Sequence, residues 1–230
     1  MHTFNGKFID FFYSYSFLLV LFISVFVFYL IYSLSSSSFF YADGLDASKL
    51  EVYWTVIPGM ILFFLSIPSL VSLYLQDKIG HYLYSGLFHI SGRQWYWEIK
   101  DDIHNYVSNS VMLNDIKGYL LRNLSVSDSV YICVNTINRF ICSSKDVIHS
   151  FCIPEFGVKV DCIAGRLNTV NSLPMSSGVY YGQCSEVCGL NHSYMPFVVT
   201  VLPENSYLNL FTSILSPSDP IGEVSDKKSG

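Results

Sequence analysis

Four side chains that can bind a soft metal ion lie close together in the stretch YYGQCSEVCGLNHSYMP, residues 180–196. They are Cys184, Cys188, His192 and Met195. Thiolate and thioether sulfur select soft or borderline metals, so magnesium and calcium are excluded as the main occupant of a site built from them. The spacing therefore predicts a transition-metal site on one short loop.

Zinc and copper are the two candidate metals for this loop. With one further histidine, the two cysteines and His192 would complete a four-coordinate zinc site. Met195 favours copper, because a thioether is a weak axial ligand of copper and adds nothing to a zinc site. Copper sites of the cupredoxin type use one cysteine per ion, so two cysteines predict two copper ions. A disulfide between Cys184 and Cys188 is a third alternative.

A second imidazole must come from upstream in the chain. His149, in the stretch SSKDVIHSF, follows Asp146 and lies beside a strand-like segment, within reach of the loops at one end of a β-sandwich. The other histidines of the region, His81, His89 and His104, precede the main sandwich segments. We therefore expect His149 to be the additional ligand.

The part of the chain that must position these ligands reads as β-structure. After Asp77, short segments rich in β-branched and aromatic residues alternate with Gly, Asn, Ser and Pro, which is typical of an all-β sandwich or barrel. No segment there predicts an amphipathic helix. The remaining cysteines fall in apparent strands, where a free thiol behaves as a small apolar group; they are Cys133, Cys142, Cys152 and Cys162.

The N-terminal third reads as a membrane anchor. Only 13% of the residues are charged, and two long uncharged stretches follow one another, each longer than the roughly 20 residues that span a bilayer as a helix. We expect spans at about 14–36 and 52–76, with both ends of the hairpin on one side of the membrane. A cleavable signal is a poor reading, because a basic n-region is lacking. The predicted units are residues 1–78, the sandwich 79–212 and a flexible polar tail 213–230.

These features together resemble a known family. The motifs GRQWYW, DVIHS, GRLN and YYGQCSEVCGLNHSYMP, preceded by a two-span hairpin, are similar to those of cytochrome c oxidase subunit II of the mitochondrial, CuA-containing type. The resemblance extends from the hairpin to about Leu210. It implies a two-helix transmembrane hairpin followed by an all-β cupredoxin-like Greek-key sandwich.

The resemblance implies a role for each residue of the loop. Cys184 and Cys188 would bridge two copper ions, forming the CuA centre, with His149 and His192 as terminal ligands. Met195 would be the weak ligand of one copper. The backbone carbonyl of Glu186 would serve the other, and the Glu186 side chain would reach a magnesium ion shared with subunit I. The periodicity of the sequence alone does not imply these roles.

The implied function is electron transfer within a respiratory complex. Electrons from cytochrome c would arrive at an exposed ring, Trp95, and pass through CuA to haem a in subunit I, where oxygen reduction is coupled to proton pumping. Glu51 matches a family glutamate near the entrance of a proton pathway. A charged residue at the boundary of the bilayer explains its position equally well. Acidic residues near Trp95 would attract the basic cytochrome; the candidates are Asp101, Asp102, Asp115, Asp128 and Asp146.

Three positions depart from the common family pattern: Arg93, Phe151 and Ala164 stand where His, Trp and Pro are usual. Two other classes of protein stay open on the residues alone. A membrane-tethered copper chaperone also uses two spaced cysteines, but with a thioredoxin-like βαβ pattern and no need for Met195. A structural zinc module is the other. Alanine occurs only at Ala42, Ala47 and Ala164, a bias common in mitochondrial genomes, which predicts the mitochondrial inner membrane with the copper domain in the intermembrane space.

Overall fold

The computed structural model describes residues 1–38, 47–79, 82–113 and 121–215. Two long helices come first, α1 (Phe4–Ser36) and α2 (Ser48–Ile79). Both are long and apolar enough to cross a membrane, and almost all of their large apolar side chains are exposed. Helices that are apolar all round and unburied need an apolar surrounding, which supports the predicted hairpin. α1 begins earlier than the expected span, because Thr3 caps it by accepting a hydrogen bond from the Gly6 amide at 3.0 Å.

A sandwich of two five-stranded sheets follows the hairpin. The first sheet has the order β3-β2-β1-β5-β8 and the second the order β4-β10-β9-β6-β7. The strands are β1 (Gly86–Arg93), β2 (Tyr96–Asp101), β3 (Tyr106–Ser110), β4 (Val130–Cys133), β5 (Asn138–Ser144), β6 (His149–Ile153), β7 (Val158–Cys162), β8 (Asn168–Ser172), β9 (Gly178–Cys184) and β10 (Pro196–Leu202). The predicted fold class is confirmed.

The two sheets enclose an aromatic core because their side chains alternate inward and outward. In β1, Phe88 and Ile90 point inward, while His89 and Ser91 point outward. Trp97 is the largest fully buried side chain. Its ring makes edge contacts with three aromatic rings of the opposite sheet, those of His149, Phe151 and Phe197, at centroid distances of 5.6 to 6.0 Å.

The first residues of the chain are joined to the sandwich. Thr3 forms an isolated antiparallel bridge with Pro174, and its buried hydroxyl donates to the carbonyl of Phe156 at 2.6 Å. The amide of His2 donates to Glu155, and the amide of Met175 donates back to His2. The N-terminus and the sandwich therefore lie at the same end of the hairpin, in agreement with the prediction for two spans.

The structure contains a helix after the last strand that the sequence analysis did not predict. α3 (Glu204–Leu215) follows Pro203 and packs one face against β4. Tyr207 and Phe211, four residues apart, are on the inward face with the ring of His104, which stacks on Phe211 at 3.5 Å. The aromatic pair at positions i and i+4 after Pro203 is the sequence feature that could have predicted this helix. The tail predicted from residue 213 begins inside this helix, and residues 216–230 lie outside the described residues.

The docking of α3 should depend on the pair formed by His104 and Asp101. Asp101 is 3% exposed, and its carboxylate lies 2.6 Å from Nδ1 of His104. His104→Ala would remove both that partner and the ring on which Phe211 stacks. We expect a loss of about 2 kcal/mol in stability, with faster hydrogen exchange of the amides of residues 207–212.

His89→Ala is the matched control for that substitution. His89 also contacts an aspartate, Asp102, at 2.7 Å, but that carboxylate is more exposed and is shared with Lys100. The control should therefore change stability by less than about 1 kcal/mol. Equal exchange of α3 in both variants would contradict the proposed contact.

Candidate metal centre

The loop between β9 and β10 supplies most of the predicted ligands. Cys184 is the last residue of β9, and Met195 immediately precedes β10, so two adjacent antiparallel strands fix both ends of the loop. Between them the chain turns tightly: the His192 amide donates to the Gly189 carbonyl at 3.2 Å. Gly189 has φ +119, a conformation that side chains rarely adopt, so glycine is required there.

His149 approaches the loop from the neighbouring strand. It is the first residue of β6, which pairs with β9 so that Phe151 lies opposite Cys184. Its ring is fully buried, and its Nδ1 lies 3.8 Å from the Cys184 sulfur. Gly92 makes room for this ring, because a Cβ at that position would lie 2.7 Å from an imidazole carbon. The upstream histidine predicted from the sequence is thus beside the loop.

All the predicted donor atoms converge on one buried point at the end of the sandwich. The sulfur atoms of Cys184 and Cys188 lie 3.9 Å apart, too far for a disulfide bond. The Cys188 sulfur lies 3.5 Å from His192 Nδ1 and 3.5 Å from the Met195 sulfur. On the other side, the Cys184 sulfur lies 3.4 Å from the carbonyl oxygen of Glu186.

This donor set fits a soft metal centre. Among the described residues, the ligand atoms of His149, Cys184 and Cys188 form a group with all distances within 4.8 Å. Cys184, Cys188 and Met195 are each less than a tenth exposed, so the sulfur atoms are shielded from water. Two thiols facing each other, with an imidazole nitrogen beside each, form a cluster that suits copper better than a hard cation.

The two thiols differ in how easily they lose a proton. Burial opposes ionisation of Cys184, but hydrogen bonds involving His149 and the backbone of Glu186 and Ser150 lower its pKa to about 6. Burial, together with the negative charge of Cys184, raises the pKa of Cys188 to about 12. One thiolate therefore forms readily, and a bound cation is required to stabilise the second.

A carboxylate holds the His149 ring in its orientation. Asp146 Oδ1 lies 2.8 Å from Nε2 of His149, on the opposite side of the ring from Cys184. The other carboxylate oxygen accepts a hydrogen bond from the Gln94 amide at 2.7 Å. Burial opposes ionisation of Asp146, but the hydrogen bonds from His149 and Gln94 lower its pKa overall. Such a partner fixes which ring nitrogen faces the metal.

Two tryptophans connect the site to its surroundings. Trp97 is buried, and its indole nitrogen donates to the Met195 carbonyl at 2.9 Å, which fixes the residue carrying the thioether. Trp95 is half-buried rather than fully exposed, and its indole nitrogen donates to the Cys188 carbonyl at 3.3 Å. The Gln94 side-chain amide donates to the same carbonyl at 2.8 Å. Trp95 thus touches the backbone of a cysteine in the site.

Comparison with known proteins identifies the family. The description "Cytochrome C oxidase subunit II, periplasmic domain" matches residues 87–202, and "Cytochrome C oxidase subunit II, transmembrane domain" matches residues 5–71. The chain belongs to the cytochrome c oxidase subunit II family. The family assignment agrees with the hairpin and the sandwich as two parts of one membrane protein with an extracellular domain.

Solved structures of subunit II resemble the sandwich. The periplasmic domain of subunit II (CoxB) of Bradyrhizobium japonicum is 33% identical, with a TM-score of 0.53, over 57% of this chain and 94% of that chain. A mixed disulfide intermediate between the thioredoxin-like TlpA and subunit II is 32% identical, with a TM-score of 0.51, over 57% of this chain and 92% of that chain. Both are similar in the extramembrane part.

The acidic residues predicted to attract a basic protein are mostly engaged within the subunit. The prediction for Asp101 is wrong, because its carboxylate is buried against His104. Asp102 is shared by His89 and Lys100, and hydrogen bonding to Lys100 lowers its pKa. Asp128 accepts the hydroxyl of Tyr106. Asp115 lies outside the described residues, as does His81.

Some residues at the site were missed or given another role. Asp146 was predicted only as a surface charge, although its position three residues before His149 was a usable signal. Gln94 had no predicted role. Phe151, which stands where Trp is usual, is buried and stacks on Phe197 at 4.2 Å. Arg93 forms an ion pair with Glu98 at 3.0 Å. Two of the three departures, Phe151 and Arg93, are therefore accommodated by packing and by a surface ion pair.

Proposed function

We propose that the loop and His149 form the binuclear copper centre CuA, which accepts electrons from cytochrome c and passes them to haem a in subunit I. The observation that carries this is the buried pair of sulfur atoms, Cys184 and Cys188, 3.9 Å apart, with donors on either side. Cys184 and Cys188 would bridge the ions and His149 and His192 would be terminal ligands. Oxygen reduction and most proton pumping would take place outside this chain.

The remaining donors would make the two metal positions different. The Met195 thioether would be the weak ligand at one position, and the Glu186 carbonyl the ligand at the other. The copper pair, when bound, would take up and release one electron. The protein's own contribution is to keep the donors in place and exclude water, so that little rearrangement accompanies the change in charge.

The fold and the donor set argue against the two alternative functions, a copper chaperone and a structural zinc module. A copper chaperone of the thioredoxin-like class would need a βαβ arrangement, whereas the described residues from Ser85 to Leu202 form two sheets without a crossover helix. A structural zinc site would have no use for Met195, which is 1% exposed with its sulfur 3.5 Å from the Cys188 sulfur. The family assignment favours copper over both.

Magnesium and the partner subunits belong to the same proposal. The Glu186 side chain is exposed next to its inward-facing carbonyl, so it is free to reach a magnesium ion shared with subunit I. Glu51 is exposed in the first turn of α2 and stays a proposal for the start of a proton pathway. We place the subunit in the mitochondrial inner membrane, with the sandwich in the intermembrane space. The low alanine content supports this location.

Metal analysis of the full chain tests the copper proposal directly. Purified in detergent and reconstituted with copper, the chain should bind two copper ions, and its electron paramagnetic resonance spectrum should show one electron shared between two nuclei. A single zinc ion, or one copper with the hyperfine pattern of a single nucleus, would refute the proposal.

Trp95 is the proposed point of electron input from cytochrome c. The ring is partly exposed and its nitrogen contacts the Cys188 carbonyl, so it joins the surface to the site. Trp95→Leu should slow reduction by cytochrome c on the order of tenfold, which corresponds to about 1.4 kcal/mol in the barrier. Stopped-flow kinetics measures the rate, and a titration under the same conditions shows whether binding is preserved.

Tyr194→Leu is a suitable control for Trp95, because this aromatic ring is also exposed near the loop. It should leave the rate near that of the unchanged protein. If Trp95→Leu reacts with cytochrome c at the unchanged rate, electrons enter elsewhere.

Met195→Leu should separate binding of copper from its electronic properties. Leucine keeps a similar volume in a fully packed position, so the fold should lose less than about 1.5 kcal/mol. The thioether is a weak neutral ligand beside two thiolates, so both copper ions should stay bound. The absorption spectrum and the reduction potential should change, because the axial ligand tunes the metal.

Spectroscopy and metal analysis of the same sample check the Met195 prediction. An unchanged spectrum and potential would mean that Met195 only fills the core. Loss of both ions would mean that the thioether holds the metal, contrary to the proposed order of ligand strength.

A further inference from the structure

A polar cavity lies where the two helices meet the sandwich, far from the sulfur ligands in the fold. It has a volume of about 480 Å³. The helices contribute residues from the start of α1 and the end of α2, and the sandwich contributes strands β5, β7 and β8. The residues that matter here are Asn5, Gln76, Asp77, Arg139, Lys159 and Asn171.

The cavity lies at the level where the helices leave the apolar phase. The uncharged stretch of α2, residues 52–76, ends at Asp77, which lines the cavity. In α1, Asn5 precedes Lys7 and Asp10, and the uncharged stretch begins only after Asp10. Charged residues that bracket apolar helices mark the membrane–water boundary. Phospholipid headgroups occupy this level.

Two cations of the sandwich face this level. Arg139 is held in place: its Nε donates to the Asn171 side chain at 3.0 Å, and its guanidinium lies 4.4 Å above the Tyr84 ring. Lys159, on β7, is exposed. Guanidinium and ammonium groups are the cations that proteins use to bind a phosphate.

The side chain of Asn5 contains a hydrogen-bond acceptor for which the described residues provide no donor. The residue is 6% exposed, and its side-chain nitrogen makes a long hydrogen bond of 3.4 Å to the Asn171 carbonyl. Its Oδ1 has no hydrogen-bond partner among the described residues. A buried amide oxygen left without a donor is costly, so a group that donates a hydrogen bond would be stabilised there. The nearby carboxylate of Asp77 favours a positively charged donor.

We infer that this cavity binds the headgroup of a membrane phospholipid that carries both a phosphate and a primary ammonium group. The phosphate would interact with Arg139 and Lys159, and the ammonium would donate to Asn5 Oδ1 beside Asp77. The acyl chains would lie along the exposed apolar surfaces of α1 and α2. A quaternary ammonium headgroup has the same charge but no N–H, so it cannot satisfy Asn5.

Native mass spectrometry of the full chain in detergent can test this site. The chain is titrated with dioleoylphosphatidylethanolamine, dioleoylphosphatidylcholine, dioleoylglycerol or inorganic phosphate. The ethanolamine lipid should bind on the order of tenfold more tightly than the choline lipid, because only its ammonium can donate to a buried acceptor. Dioleoylglycerol, which lacks the phosphate, should bind weakly and without preference for the cavity.

Substitutions can show which protein side chains bind the phosphate of the headgroup and which bind its ammonium group. Arg139→Gln and Lys159→Gln should each weaken binding of both phospholipids, whereas Arg166→Gln, an exposed charge outside the cavity, should not. Lys159 is exposed, so its substitution tests the phosphate contact even if Arg139→Gln unfolds the chain. Asn5→Ala should remove the preference for ethanolamine over choline while phosphate-dependent binding persists.

Three results would overturn the inference. Equal binding of the two phospholipids by the unchanged chain would contradict the proposed contact between the ammonium group and Asn5. If Lys159→Gln and Arg166→Gln change phospholipid binding equally, the proposed contact between Lys159 and the phosphate is contradicted. Binding of inorganic phosphate alone, with the same dependence on Lys159 and with displacement of the lipid, would make the cavity a site for a free anion.

Discussion

Cys184→Ser is expected to abolish the binuclear copper centre and leave the sandwich folded. Serine is smaller than cysteine, and its hydroxyl has a pKa too high to bridge metal ions as a thiolate does. The Cys184 sulfur also lies close to both other donors on its side of the site, 3.8 Å from His149 Nδ1 and 3.4 Å from the Glu186 carbonyl oxygen. Its loss would therefore separate the two halves of the donor set. Copper content should fall from two ions per chain to one or none.

The measurement is copper analysis together with the resonance spectrum, and far-ultraviolet circular dichroism confirms the fold. Cys152→Ser is the matched control: Cys152 is a free cysteine on β6, within the same sheet, but among the described residues it does not belong to the donor group of His149, Cys184 and Cys188. It should keep both ions and the unchanged spectrum. A Cys184→Ser chain that retains a shared-electron spectrum would rule out a bridging role for Cys184.

Asp146→Ala should weaken copper binding by about 10- to 100-fold, the usual effect of losing a carboxylate that orients a ligating histidine. The substitution removes the acceptor 2.8 Å from His149 Nε2 and also the acceptor of the Gln94 amide. The imidazole would then be free to rotate, and the loop holding Trp95 would lose one of its anchors. A competition titration with a copper chelator measures the affinity.

Asp146→Asn and Asp128→Ala complete that experiment. Asparagine keeps an oxygen acceptor for His149, so it should restore much of the affinity. Asp128 bonds Tyr106 and has no contact with the donor set, so its removal should leave copper binding unchanged. If the alanine substitution at position 146 does not change the affinity, His149 is held by its packing alone.

Residue types and spacing were sufficient to predict the donor loop and the hairpin. Both depend on local sequence: the loop joins two adjacent strands, and the spans follow from unbroken apolar stretches. His149 was accessible in the same way, because it follows Asp146 and begins the strand-like segment that became β6. Short-range pattern therefore predicted the hairpin and the convergence of the donor side chains, whereas metal binding by those side chains stays a prediction.

Burial of individual charged residues could not be predicted in this way. Asp101 and Asp102 are neighbours in sequence, yet one is buried against His104 and the other is shared by His89 and Lys100. The partner of Asp101, His104, packs against the helix α3, more than a hundred residues later. That helix was itself missed because its stability depends on contacts with His104 rather than on a long apolar pattern. Non-local packing determined both outcomes.

The bridge between Thr3 and Pro174 has a mechanical consequence for the subunit. The sandwich is attached to the membrane at two points, through residues 2–4 and through the end of α2, and the cap on α1 makes the first attachment continuous with the helix. Two attachments restrict the sandwich more than one would, because the only free rotation left is about the line that joins them. The hairpin therefore constrains the height of the sandwich above the bilayer. Electron tunnelling weakens steeply with distance, so for the proposed electron transfer such a mount would limit the variation of the transfer rate from one turnover to the next.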